Sequence, residues 1–138
     1  MMCSDEVYAA CARLTAAFAI LVDAHRNDEL GELFTQDCSF ERPGVSLGSR
    51  AELVTFMSAR PRDQLTRHCC TPPLIEQTGE DEAKGVTYLT FYQGEVREEG
   101  PGKLLGVTAF AEYHDLFRKT ADGWRIAARR VVPIMMAG

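Results

Sequence analysis

Helix signals stop at Pro61, and nearly everything after it reads as strand. In the first half, Ser4 can cap a helix whose first turn carries Asp5 and Glu6, both favourable to the helix dipole. Val7, Cys11, Leu14, Phe18 and Leu21 then recur at steps of four and three, which predicts one apolar stripe on a helix ending near Ala24 or His25. Asp28 opens a short helix predicted through Phe34, with Leu30, Leu33 and Phe34 inward. A short strand is predicted over 38–41, stopped by Pro43-Gly44. Ser49-Arg50-Ala51-Glu52 is a capping box for a third helix that buries Leu53, Phe56 and Met57. Pro61 ends it, because proline cannot continue the hydrogen-bond ladder. Strands are predicted over 66–70, 74–78, 86–96, 104–119 and 124–132, with Ala121-Asp122-Gly123 as the last hairpin turn.

Helices gathered against an antiparallel meander mean an α+β fold. A strongly bent sheet wrapped over the first helix encloses a pocket, where small ligands bind. The 138 residues suit one domain over 1–138, with no repeat, linker or low-complexity tract. A net charge of −5 argues against nucleic acid, whose phosphates call for a basic face. The longest apolar stretch, 18–22, is far short of a membrane span. The acidic start Met1-Met2-Cys3-Ser4-Asp5-Glu6 predicts no secretory leader. Five cysteines, an odd number without metal-ligand spacing, read as reduced thiols of a cytoplasmic protein. In the vicinal pair Cys69-Cys70, one thiol is predicted buried and the other facing away. No Gly-rich phosphate loop, nucleophile elbow or metal cluster is present, so no metal and no cofactor are expected.

Several segments in this order carry a resemblance. They are Asp-x4-Asp-x-Leu-x-x-Leu-Phe over 23–34, then Asp37, Gly48 and a capped helix, Thr66-Arg67-His68, and the hairpin running from Phe117 through Asp122-Gly123-Trp124 to Ile126. The chain resembles the SnoaL-like branch of the nuclear transport factor 2 superfamily over nearly its whole length. The resemblance implies a cone-shaped, mostly antiparallel sheet over N-terminal helices. It also implies a catalytic pair: Asp23 and His68 stand where scytalone dehydratase and a dehydrochlorinase of that superfamily carry an aspartate that orients a proton-relaying histidine. Imidazole titrates near neutrality, so it can take and return a proton. A carboxylate beside it fixes its tautomer and stabilises the imidazolium. The expectation is a cofactor-independent lyase or isomerase acting on a small apolar cyclic or carbonyl-bearing molecule. The rival expectation is a non-catalytic domain for small-molecule binding or oligomerisation.

The resemblance has departures. Scytalone dehydratase has a second pocket histidine where this chain has Gln93, which hydrogen-bonds but transfers no proton. The patterns of limonene epoxide hydrolase and ketosteroid isomerase fit less well, although Tyr8, Tyr88, Tyr92, Tyr113 and Asp115 make an isomerase conceivable. On the strand over 104–119, Phe110, Glu112, His114 and Leu116 share one face, opposite Ala109, Ala111, Tyr113, Asp115 and Phe117. Alternation does not choose between these mixed faces. The resemblance implies the His114 face, so Phe110 and His114 join Gln93 and Tyr92 as expected substrate-binding groups. Of Arg129-Arg130, one is expected inward, to bind an anionic substrate group or pair with Asp23 or Glu112. Trp124 is expected in the core, and Met135-Met136 reads as a lid over the pocket or a frayed end. Tyr, Val and Phe on the outer sheet face predict a homodimer or homotrimer packed through the sheet.

Overall fold

The structure, a computed structural model, describes residues 3–138; Met1 and Met2, part of the acidic start read against a leader, lie outside the described residues. Three helices and seven strands follow in the order α1 (Asp5–Asp23), α2 (Asn27–Gly31), β1 (Phe34–Arg42), β2 (Val45–Leu47), α3 (Arg50–Ser58), β3 (Leu65–Cys70), β4 (Leu74–Gly79), β5 (Glu82–Glu95), β6 (Lys103–Thr120) and β7 (Gly123–Met136). The sheet runs β2-β1-β7-β6-β5-β3, with β4 also on β5. Among the described residues no helix is long and apolar enough to cross a membrane.

Ser4 caps α1 by accepting from the Val7 amide at 3.2 Å. At its other end the Arg26 amide donates to Leu21 O and the His25 amide to Val22 O, which is a Schellman close. The left-handed position there is filled by His25, φ 56, instead of the usual glycine. Its Nε2 meets the Gln64 carbonyl at 3.0 Å, so the ring ties the end of α1 to the loop before β3.

Several expected boundaries shift. The second helix ends at Gly31 rather than Phe34, and Phe34 opens β1, which pairs in parallel with β7. The reason is long-range: the Ile126 amide donates to Leu33 O at 2.8 Å and draws this segment into the sheet. A Cβ on Gly31 would come within 2.6 Å of Val54 Cγ2, so α2 and α3 pack too closely there for a side chain. Beyond Pro43-Gly44 the chain doubles back into β2, a strand not anticipated, with Gly44 at φ 80 in the turn. β7 continues through Met136, so Met135 and Met136 are paired strand residues and neither a lid nor a frayed end. The sheet is mixed and open. β2 and β3 lie at its two ends, so the curved cone does not close into a barrel.

Cys11, Leu14, Phe18 and Val22 of α1 are buried under the sheet. Val22, rather than Leu21, carries the last inward turn of the stripe. Phe18 meets Tyr113 and Phe34 edge-on at 5.7 Å and 6.0 Å between ring centroids. Each such buried ring contributes roughly 1.5–3 kcal/mol relative to exposure. These contacts decide the faces of β6. Ala109, Ala111, Tyr113, Asp115 and Phe117 point inward against α1 and are buried. Phe110, Glu112, His114 and Leu116 therefore point outward, the reverse of what the resemblance implied. Trp124 is half-buried against the core. Cys69 is exposed and Cys70 half-buried.

Candidate active site

Asp23 is the last residue of α1, where the helix dipole disfavours a carboxylate. Three donors compensate. The Thr66 hydroxyl donates to Oδ1 at 2.9 Å, the His68 amide donates to Oδ2 at 3.0 Å, and His68 Nδ1 meets Oδ1 at 2.6 Å. Burial alone would raise the Asp23 carboxyl, but its bonds from the His68 ring and amide and from Thr66 outweigh that and hold it below the usual carboxylate range. The carboxylate accepts, so Nδ1 carries the proton in the neutral ring and Nε2 holds the free lone pair. The side chains of His68 and Asp23 are 16% and 8% exposed. Phe91, opposite His68 in the ladder, stacks on the imidazole at 4.8 Å and fixes its plane.

The histidine lines a cavity of about 360 Å³ between α1, α3 and the inner sheet face. Its walls are mostly apolar, from Phe18, Phe40, Met57, Leu89 and Val131, and Ala109 and Ala111 leave the room that larger residues would fill. Gln93 lines it too, and its Oε1 accepts from the Thr108 hydroxyl at 3.3 Å. The sequence reading missed Arg42, Arg60 and Thr108, which also line it, and gave Tyr113 no place in the pocket; Met136, read as part of a lid or frayed end, lines it as a strand residue. The small pair Ala109/Ala111 on the Tyr113 face was the available sign. Burial pushes the Tyr113 phenol up, so at neutral pH it is a neutral donor.

Three expected binding residues lie elsewhere. His114 faces outward with Nε2 2.9 Å from Glu112 Oε1, and it lines a wider outer groove of about 520 Å³ that contains no part of the Asp23–His68 pair. Phe110 is 44% exposed on that outer face. Tyr92 sits on the face of β5 opposite Phe91 and Gln93 and does not line the cavity. Arg129 does point inward, but its partner is Asp115 rather than Asp23 or Glu112. The pair is bidentate, 2.8 Å at each contact, and both side chains are almost wholly buried. The guanidinium lies over the rings of Tyr113 and Phe18, at 3.9 Å and 4.4 Å from their centroids. Among the described residues, no group of three His, Cys, Asp or Glu could hold a metal ion.

Comparison with solved structures agrees with this architecture. A candidate scytalone dehydratase from Novosphingobium aromaticivorans superposes with a TM-score of 0.77 at 19% identity, over 93% of this chain and 84% of that one. Aln2 from a Streptomyces species gives 0.80 at 16% identity, over 96% and 94%. The β subunit of a candidate aromatic-ring-hydroxylating dioxygenase, also from N. aromaticivorans, gives 0.77 at 18%, over 95% and 91%. At these identities the likeness concerns the fold. No curated protein matches by sequence. The model of the SnoaL-like domain matches residues 5–130, nearly the whole chain, and the protein therefore belongs to the SnoaL-like family.

Proposed function

We propose that the protein is a cofactor-independent lyase or isomerase of the dehydratase type, acting on a small, mostly apolar, cyclic or carbonyl-bearing molecule in the cavity beneath the sheet. The observation that carries this reading is the 2.6 Å contact between His68 Nδ1 and Asp23 in a mostly apolar cavity. With Nδ1–H held by the carboxylate, Nε2 is the base. It takes a proton from the carbon next to a carbonyl, and Asp23 stabilises the imidazolium. In a dehydration the new C=C bond forms as the C–O bond breaks, and the leaving hydroxyl takes the proton back as water. In an isomerisation the same proton returns to another carbon. Gln93 and the Tyr113 hydroxyl are the polar groups offered to the carbonyl or the leaving oxygen. The fold shared with the candidate scytalone dehydratase agrees with this chemistry, and likeness to a dioxygenase β subunit keeps the non-catalytic binding domain as the rival reading.

The test is a screen of small cyclic β-hydroxy ketones, read as enone formation and as exchange of the α-proton in D2O. His68→Ala is expected to slow both by about 10²–10⁴-fold. Unchanged rates in that variant would reject the assignment and leave a binding site only.

Two further expectations belong with this proposal. Five thiols without a disulfide support a cytoplasmic location. Tyr88, Leu104, Val107, Phe110, Ile134 and Met135 leave an exposed apolar region on β5, β6 and β7. Beside it on the outer face lie Lys84, Arg130, Glu76 and Glu112, both signs interspersed, which suits a second copy of the same face better than a partner of one charge. Phe110→Glu is expected to convert a dimer or trimer into monomer in analytical ultracentrifugation. A wild-type protein already monomeric at high micromolar concentration would exclude that assembly.

A further inference from the structure

The cavity has a charge asymmetry that the proton-transfer reading does not use. Two arginines line it, Arg42 at the end of β1 and Arg60 just past α3, and no lining residue is an aspartate or glutamate. This is unexpected in a chain with 20 acidic and 15 basic residues. Neither guanidinium has a carboxylate partner among the described residues. Arg42 lies over the Phe56 ring at 5.0 Å, a contact that orients it without neutralising it. Arg60 is half-buried and donates to the Val22 carbonyl at 2.9 Å and to Thr66 Oγ1 at 3.4 Å. Those partners are the neighbour of Asp23 and one of its three donors, so the cation is tied to the same frame as the dyad. Asp23 itself is already engaged by His68 and Thr66.

Arg60, half-buried beside an apolar cavity, is partly desolvated, and Arg42 at the exposed rim adds a second positive charge to the same opening, so an anion entering there would be favoured by both. Burial holds Arg60 below its ordinary pKa, Asp23 works against that, and the charge of Arg42 adds to it. The remainder of the wall suits a flat apolar body: Phe91, Phe40, Leu89 and Val131 offer rings and branched chains and almost no polar atoms. A guanidinium fork matches a carboxylate in shape and charge.

We propose that the substrate class is a compact cyclic or aromatic carboxylic acid, its carboxylate held by Arg42 and Arg60 and its ring lying against Phe91 beside His68. This inference rests on the reading of the cavity as the substrate site. It adds a specificity element distinct from the base: the arginines hold the carboxylate, and His68, joined to Arg60 through Thr66 and Asp23, addresses the carbon skeleton beside it.

The probes are 2-naphthoate and its neutral analogue 2-naphthamide, titrated into the wild-type protein by calorimetry, with amide shifts followed in parallel. The acid is expected to bind about ten-fold or more tightly than the amide, as a hydrogen-bonded charge pair should. That preference should weaken with added salt. Arg42→Gln, at an exposed position with no structural hydrogen bond, should weaken the acid far more than the amide and so remove most of the preference. Arg60→Gln should reduce it as well. Equal affinity for acid and amide, no saturable binding of the acid, or an undiminished preference in both variants would overturn the proposal. Naphthamide shifting Phe91 and His68 with no preference for the acid would reject the anion site alone, leaving the cavity and its base in place.

Discussion

Asp23→Asn is expected to lower turnover by roughly 10²–10⁴-fold while the fold survives. Asparagine keeps the size and one acceptor oxygen, which stays with the His68 amide at the Oδ2 position, while the Thr66 hydroxyl, which shares Oδ1 with the ring, turns from donor to acceptor of the new NH₂. What changes is the group facing the ring. An amide NH₂ donates to Nδ1, so the proton moves to Nε2, and the lone pair that should act as base is lost. The signature is specific: ¹⁵N shifts of His68 should switch tautomer, which a merely structural role for Asp23 would not produce. Activity falling without a tautomer switch, or a switch without loss of activity, would contradict the dyad. The pH dependence follows from the lowered Asp23 pKa. A folded value below the unfolded one, about 3.9, means that the stabilisation is fully present above that value and is lost as pH falls through the folded pKa. Acid unfolding of the asparagine variant should therefore be the less steep, and ionisation of Asp23 should not limit activity above about pH 4.

Asp115→Ala is expected to destabilise the protein by about 3–5 kcal/mol, since it leaves the guanidinium of Arg129 buried without its counter-charge. For a domain of this size that corresponds to a drop in Tm of roughly 10–20 °C. The stacked rings of Tyr113 and Phe18 retain part of the cation's stabilisation, and one of its nitrogens, Nη1, already lacks a partner. Burial would lower the Arg129 pKa, but the Asp115 charge and hydrogen bonds raise it above the ordinary value, so the guanidinium keeps its charge in the interior. Removing both charges together, as in Asp115→Leu with Arg129→Met, should recover most of the loss, because it removes the desolvation cost along with the attraction. Urea melts of the three proteins test this. A single-site loss under about 1 kcal/mol would mean that water reaches the guanidinium and the site is not dry.

The local rules read well wherever local physics decides. Ser4 and Ser49 cap the helices they were expected to cap, and the stripe through Cys11, Leu14 and Phe18 is the buried face of α1. The strand order after Pro61 was legible in the same way. The end of α2 was not, because a partner some ninety residues away, Ile126, takes the Leu33 carbonyl that a helix would have used. Asp23 and His68 came from the family resemblance, and the contact of the His25 ring with the Gln64 carbonyl, which holds the end of α1 to the loop before β3, had no sequence signal. The inward face of β6 was not legible, because both faces mix polar and apolar residues and only the packing of Phe18 on Tyr113 separates them. The Arg129 partner was hidden by a single irregularity. Phe117 pairs with Ile126, but Leu116 pairs with Ala128, so an extra residue enters β7. Counting back from the hairpin turn without that bulge sets Ala128 opposite Asp115; with it, Arg129 arrives there.

The gap between the two ends of the sheet has a consequence for how this enzyme-like cavity can diversify. Arg42, Pro43 and Gln64 all line it, and no backbone ladder joins β2 to β3 at the two ends of the sheet. Exchanging a loop side chain there, such as that of Gln64, changes the cavity wall but severs no interstrand bond. The shape and polarity of the cavity can thus drift over generations while the scaffold's thermodynamics stay nearly level.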